Sequence, residues 1–135
     1  MKLKLKWIVV VLLLVGLASC RSSSLVNYES IGIVTASGKE LTMDQVKQAI
    51  IIGGAARGWT MAPAELGHMI GTLNLRRHVA IVDIIYDTQK YSITYKDSTN
   101  LNFGKNSDGT EYIHSNYIGW IKFLKESINV SLISM

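Results

Sequence analysis

The chain has 135 residues, enough for one domain of ordinary size and too few for a second substantial one. Its formal net charge of +4 is uneven: Lys2, Lys4 and Lys6 supply three of the 14 basic residues, while all 10 acidic residues lie beyond residue 28. Beyond the first segment the chain is nearly neutral, so a pI of about 9.2 is no argument for nucleic acid, and the mean hydropathy of +0.22 reflects apolar residues gathered at the N-terminus.

That segment has three parts: a basic stretch ending at Lys6, an apolar run from Trp7 to Ala18, then Ser19 and Cys20. A spanning helix needs about 20 apolar residues, so this run is too short to cross a bilayer and reads as the core of a secretory signal. Leu17-Ala18-Ser19-Cys20 resembles the lipobox of bacterial lipoproteins, in which the cysteine thiol is the nucleophile that accepts a diacylglyceryl group. Cys20 is the chain's single cysteine, which also rules out an intrachain disulfide. Two or three acyl chains suffice for stable attachment to a membrane. The resemblance implies an outer-membrane, periplasm-facing address, because Arg21 stands where an Asp would favour retention in the inner membrane. The expected division is a signal peptide over residues 1–19, a lipidated cysteine and tether over 20–40, and a single small α+β domain over 41–135.

In the tether, Arg21 and Ser22-Ser23-Ser24 open a polar stretch that Ser37-Gly38-Lys39 closes. About 20 flexible residues reach roughly 25 Å, enough to hold a domain clear of the headgroups. Ile31, Ile33 and Val34 interrupt the stretch and are expected to pack on the domain or add an edge strand. Thr42 then offers an N-cap hydroxyl with Gln45 at capping-box spacing, and Val46, Ala49, Ile50 and Gly53 form one face of a first helix that stops at Arg57-Gly58. Strands follow over Trp59 to Ala62, His68 to Leu75, His78 to Tyr86 and Tyr91 to Lys96, with Arg76-Arg77 and Asp87 to Lys90 as turns. In the last of these, Tyr91, Ile93 and Tyr95 alternate with polar residues, the signature of one buried and one wet face. A second helix runs from about His114 to Ile128, with Tyr117, Trp120, Ile121, Leu124 and Ile128 on one face. The expected fold is α+β: a four-stranded antiparallel meander covered by an N-terminal and a C-terminal helix, in the order α-β-β-β-β-α.

Arg57-Gly58-Trp59, Arg77-His78 leading into Val79 to Tyr86, Tyr91-Ser92-Ile93, Ser98 with Asn100-Leu101, and Ile113-His114 with Tyr117, Trp120-Ile121 and Leu124 together resemble a group of small bacterial envelope lipoproteins over about residues 42–128. The resemblance implies an envelope address and an α+β fold, and it carries no activity.

Catalytic chemistry finds little support. A nucleophilic serine needs a base and an oxyanion pocket, and no glycine-flanked serine frame is present. Three histidines, His68, His78 and His114, invite a metal site, but His68 and His78, at opposite ends of one hairpin, stand roughly 25 to 30 Å apart and cannot share an ion. With no H-x-H or H-x-x-x-H spacing, neither a metal nor another cofactor is expected. Asn106-Ser107-Asp108-Gly109 reads as a turn and not a calcium loop. The residues best suited to a ligand or a partner are Arg57, Trp59, Arg76, Arg77, His78 and Asn100, a cationic cluster beside an aromatic. The reading is a non-enzymatic envelope module, anchored in the membrane through Cys20, that presents its domain to another envelope protein or polymer and binds neither nucleic acid nor metal. The alternatives are a periplasmic ligand-binding or glycan-acting protein using Arg76, Arg77, His78 and Asp83, and a purely structural spacer.

Overall fold

The structure, a computed structural model, describes residues 21–135, so the expected signal peptide and Cys20 lie outside the described residues. The described chain is α+β, with two helices and two antiparallel sheets. In chain order the elements are β1 (Ser22–Ser24), β2 (Tyr28–Gly32), α1 (Met43–Ala55), β3 (Trp59–Glu65), β4 (His68–Leu75), β5 (His78–Tyr86), β6 (Lys90–Thr99), β7 (Gly104–Lys105), β8 (Glu111–His114) and α2 (Ser115–Ile133). The larger sheet has the order β2-β6-β5-β4-β3 and the smaller β1-β8-β7.

This corrects the four-stranded sheet expected from sequence: a fifth strand, β2, completes the larger sheet, and a second sheet stands beside it. Both additions draw on the stretch expected to be a tether: β2 is the edge strand expected around Ile31, while β1 has no counterpart in the expected fold. β2 pairs with β6 through a register shift between Tyr28 and Ile31, where Ser30 takes a φ of 53° and its N–H donates to Ser92 Oγ at 3.0 Å. A bulge of this kind breaks the period of two, which is why the alternation of a strand is not visible in Tyr28–Gly32. The ammonium of Lys125 in α2, 4.3 Å from the centroid of the Tyr28 ring, ties β2 to the helix layer.

Thr42 caps α1 in a full capping box, its hydroxyl accepting from the Gln45 N–H while Gln45 Oε1 accepts from the Thr42 N–H. The β5–β6 connection is closed by Asp87, whose carboxylate accepts the N–H groups of Gln89 and Lys90 at 2.7 and 2.8 Å; those bonds hold its pKa below the ordinary carboxylate value. β6 continues three residues beyond the expected Lys96, past a bulge opposite the Ile81–Val82 step of β5. α2 continues beyond Ile128 to Ile133 and buries Ser131 and Leu132 on the same face.

Both helices pack on one face of the five-stranded sheet. That face carries Met69 and Leu73 from β4, Ala80, Val82, Ile84 and Tyr86 from β5, and Tyr91 and Ile93 from β6, all buried against Val46, Ala49 and Ile50 of α1 and Tyr117, Ile121, Leu124 and Ile128 of α2. The helices meet at Gly53, where a Cβ would lie 2.6 Å from the Ile128 Cα, so only a hydrogen fits between the two backbones. Two tyrosines bring hydroxyls into this core, and burial raises the pKa of both. The Tyr91 hydroxyl donates to Asn129 Oδ1 at 2.7 Å, whereas Tyr117 Oη has no hydrogen-bond partner among the described residues.

Two pairs of substitutions test this packing by urea denaturation. Gly53→Ala forces α1 away from α2 and should destabilise by about 1–3 kcal/mol, although alanine is the better helix former. Gly119→Ala in α2, where an added Cβ meets nothing within 4 Å, should stabilise by about 0.5–1 kcal/mol. Tyr117→Phe removes an unpaired buried hydroxyl and should be neutral or stabilising; Tyr91→Phe strands the Asn129 oxygen and should cost about 1 kcal/mol or more.

Candidate functional site

Five parts of the chain meet at one end of the larger sheet: the α1–β3 connection, the β4–β5 turn, the start of β5, the segment after β6, and the β8–α2 junction. The β4–β5 turn is Arg76-Arg77 between the paired residues Leu75 and His78, and Arg76 takes a φ of 57°. A side chain in that region is strained by roughly 1–2 kcal/mol, so the turn needs support. Asn100, itself at a φ of 57°, supplies it: its Nδ2 donates to the Arg77 carbonyl at 2.8 Å. Both arginine side chains are exposed, and among the described residues no carboxylate oxygen lies within 4.0 Å of either guanidinium.

His78 lies beneath this turn. Its Nδ1 is 2.8 Å from the Asn100 carbonyl, which can only accept, so Nδ1 carries a proton, and in the neutral ring the lone pair is on Nε2. His114 stands beside it, ring centroids 6.2 Å apart, and Trp120 is also 6.2 Å away. His114 is the N-cap of α2: its Nδ1 accepts the Asn116 N–H at 3.1 Å, which puts its proton on Nε2. The pair therefore presents one lone pair and one N–H, a set suited to hydrogen bonding. A metal would need Nδ1 of His114 protonated for Nε2 to coordinate, at the expense of the helix cap. Among the described residues no three His, Cys, Asp or Glu side chains gather as a metal site.

The other candidates divide. Arg57 joins this end of the molecule, its guanidinium carbon 5.2 Å from the centroid of Phe123, one turn beyond Trp120 on α2. Trp59 does not: it is 3% exposed and belongs to the core, because the first residue of β3 faces the helices, so it is not available to a ligand. Asp83 lies on the opposite face of the sheet from His78, since β5 alternates and places His78 with Ala80 and Val82 on the helix side. The carboxylate of Asp83 instead meets His68 Nε2 at 2.7 Å and Lys96 Nζ at 3.6 Å, with Glu65 3.7 Å from His68 Nδ1. A glycan-acting site built on Arg77, His78 and Asp83 is thus not assembled, because the sheet lies between its parts.

Three contributors are not placed at this end of the molecule by the sequence, although His114 stands out there as a third histidine beside His68 and His78, and Trp120 falls on the apolar face of the second helix. His114 and Trp120 reach His78 only because β8 leads straight into α2, and nothing local marks that juxtaposition. Arg21 is the third: Ser22 pairs with His114, and the Ser115 N–H donates to the Arg21 carbonyl at 2.8 Å, which brings the first described residue to this same end.

Comparison with protein-family models, with curated proteins and with solved structures finds no match to the chain. The arrangement around His78 can be checked directly. In ¹⁵N spectra at about pH 8, where free imidazoles are neutral, His78 should appear as the Nδ1–H tautomer and His114 as the Nε2–H tautomer. Finding both rings in the same tautomer would overturn this geometry.

Proposed function

We propose that the chain is a lipid-anchored protein of the bacterial cell envelope, held through Cys20 at the outer membrane and facing the periplasm, whose α+β domain acts as a non-enzymatic interaction module. The anchor rests on the lipobox-like Leu17 to Cys20. The interaction rests on one structural observation, the uncovered face of the five-stranded sheet. Both helices occupy the other face, so Ile70, Val79 and Ile81 remain partly exposed and Ile85 is 51% exposed, among Thr72, Ser92 and Thr94. The Asp83–His68–Lys96 group sits within this face and supplies polar contacts that fix a partner's register. A protein or polymer of the envelope that covers these β-branched side chains would remove apolar surface from water without disturbing the core.

Two measurements test the reading. An alkyne palmitate fed to cells should label the wild-type chain and leave Cys20→Ala unlabelled. A photo-crosslinking residue at position 85 should trap one discrete envelope component, absent when the residue sits at Gln48 on the exposed side of α1, and Thr94→Lys should reduce the yield several-fold. Equal trapping at positions 85 and 48 would remove the sheet face as the interaction surface.

A further inference from the structure

The described chain begins at Arg21, and it begins already pinned. The Arg21 carbonyl accepts the Ser115 N–H at 2.8 Å, Ser22 pairs with His114, and Leu25 N–H donates to the Glu111 carbonyl at 2.9 Å. No polar tether separates residue 20 from the fold: one residue spans at most about 3.6 Å, so whatever holds Cys20 holds the N-terminus of α2 beside it. The roughly 25 Å of reach expected for a free segment is taken up by β1 and β2.

The end of the molecule at which the chain enters is also its arginine-rich end. Ala56-Arg57-Gly58, Leu75-Arg76-Arg77, Asn100 to Phe103 and Arg21-Ser22, the segments that gather there, carry four arginines and no carboxylate. Arg76 and Arg77 project from a turn braced by Asn100, so their guanidinium groups are presented without an internal partner. Phe123 is 48% exposed beneath Arg57, and Trp120, one turn earlier on α2, is only partly buried against His78. Cations combined with a tryptophan and a phenylalanine on one surface match a bilayer interface, where guanidinium groups pair with phosphates and indole rings settle at headgroup level.

From these observations we propose that the end of the fold formed by Arg21, Arg57, Arg76, Arg77, Trp120 and Phe123 lies directly on the membrane and binds anionic phospholipid headgroups. The occupant is a lipid surface because the chain outside the described residues leaves the fold at this end and because the charge is of one sign. The proposal rests on the reading of Cys20 as the lipid-bearing residue. It replaces a domain held clear of the membrane by one that stands on it, its β4–β5 turn downward and its open sheet face turned sideways.

The test uses the protein as made in cells and processed before Cys20, hence without Trp7, reconstituted into vesicles of phosphatidylcholine bearing brominated chains, with and without about 30% phosphatidylglycerol. Emission from Trp120 should be quenched on the anionic vesicles, and W120F should lose that quenching, since Trp59 is buried in the core. The double substitution R76E and R77E should cut the quenching by about half or more, and so should roughly 1 M salt on the wild-type protein, a control independent of any effect of mutation on folding. Quenching that is absent in the wild type, or unchanged in both the double variant and high salt, overturns the proposal. The mass of the N-terminal peptide reads the anchor separately. Should Cys20 carry no acyl chains, the anchor reading fails by itself, and co-sedimentation of the same protein with the two vesicle types decides the surface: equal binding to both overturns it, and at least about fivefold preference for the anionic vesicles upholds it.

Discussion

The architecture depends on how closely α1 approaches α2. Five strands offer one broad apolar face, and among the described residues only two helices cover it. To do so they must lie in one layer without a gap between them, and Gly53 against the Ile128 backbone allows that. A single hydrogen at that crossing lets Val46, Ala49 and Ile50 on one helix and Ile121, Leu124 and Ile128 on the other reach the same sheet residues, so the core is continuous from Leu41 to Leu132. Dispersion contacts fall off within an ångström, and a helix pair held further apart would leave Val82 and Ile84 facing a void. The glycine that weakens α1 as an isolated helix is what the tertiary packing requires.

Covering one face so completely uses all the helix the described chain has, and the other face stays open. The residues there suit that condition. Thr72, Thr94 and Ser92 mix with Ile70 and Ile81, and the centre holds an Asp83 carboxylate between His68 and Lys96. A fully apolar open face would invite nonspecific stacking, and a fully charged one would bind nothing by burial. On the proposed reading, a half-apolar surface with a fixed polar group at its middle would disfavour most partners and suit one that matches it.

Much of the α+β plan is legible in the sequence because the larger elements obey one period each. The capping box at Thr42 and the alternation through Tyr91, Ile93 and Tyr95 are local signals, and the structure keeps them. β3, by contrast, runs past the expected Ala62, through Pro63, to Glu65, which an edge strand allows because its outer N–H positions need no partner. What escapes a sequence reading is set by distant partners. β1 is three serines whose strand state comes from pairing with β8. The edge strand expected around Ile31 does form as β2, with Ile31 and Ile33 packed on the core and Val34 exposed, but its bounds at Tyr28 and Gly32 are hidden by the bulge at Ser30. The candidate site divides in the same way. Arg76, Arg77, His78 and Asn100 stand out as polar residues around a turn, and they do converge. Trp59 stands out equally as an aromatic next to an arginine, yet its place at the head of β3 turns it inward, and His114 has no local mark because its meeting with His78 spans 36 positions of chain.

The strand state of those three serines decides more than the sheet count. A polar, serine-rich stretch after a lipid-bearing cysteine reads as a spacer, and a spacer leaves a domain free to take any orientation. Once Ser22, Ser23 and Ser24 are hydrogen-bonded to β8, the freedom of a flexible spacer over those residues is gone. On the proposed anchoring, three backbone pairs and one bond from Ser115 to Arg21 keep the anchored end of the chain beside the N-terminus of α2, and the proposed headgroup contacts of the arginines would supply the rest of the orientation. A fixed orientation confers an advantage on an interaction module. On that reading a partner in the same layer would meet a domain restricted in its tumbling, so less rotational entropy would be lost on binding than with a freely tumbling domain. The same pinning confines the four arginines to the side from which the proposed anchor would emerge, where an anionic surface would give them counterions that the described residues do not supply.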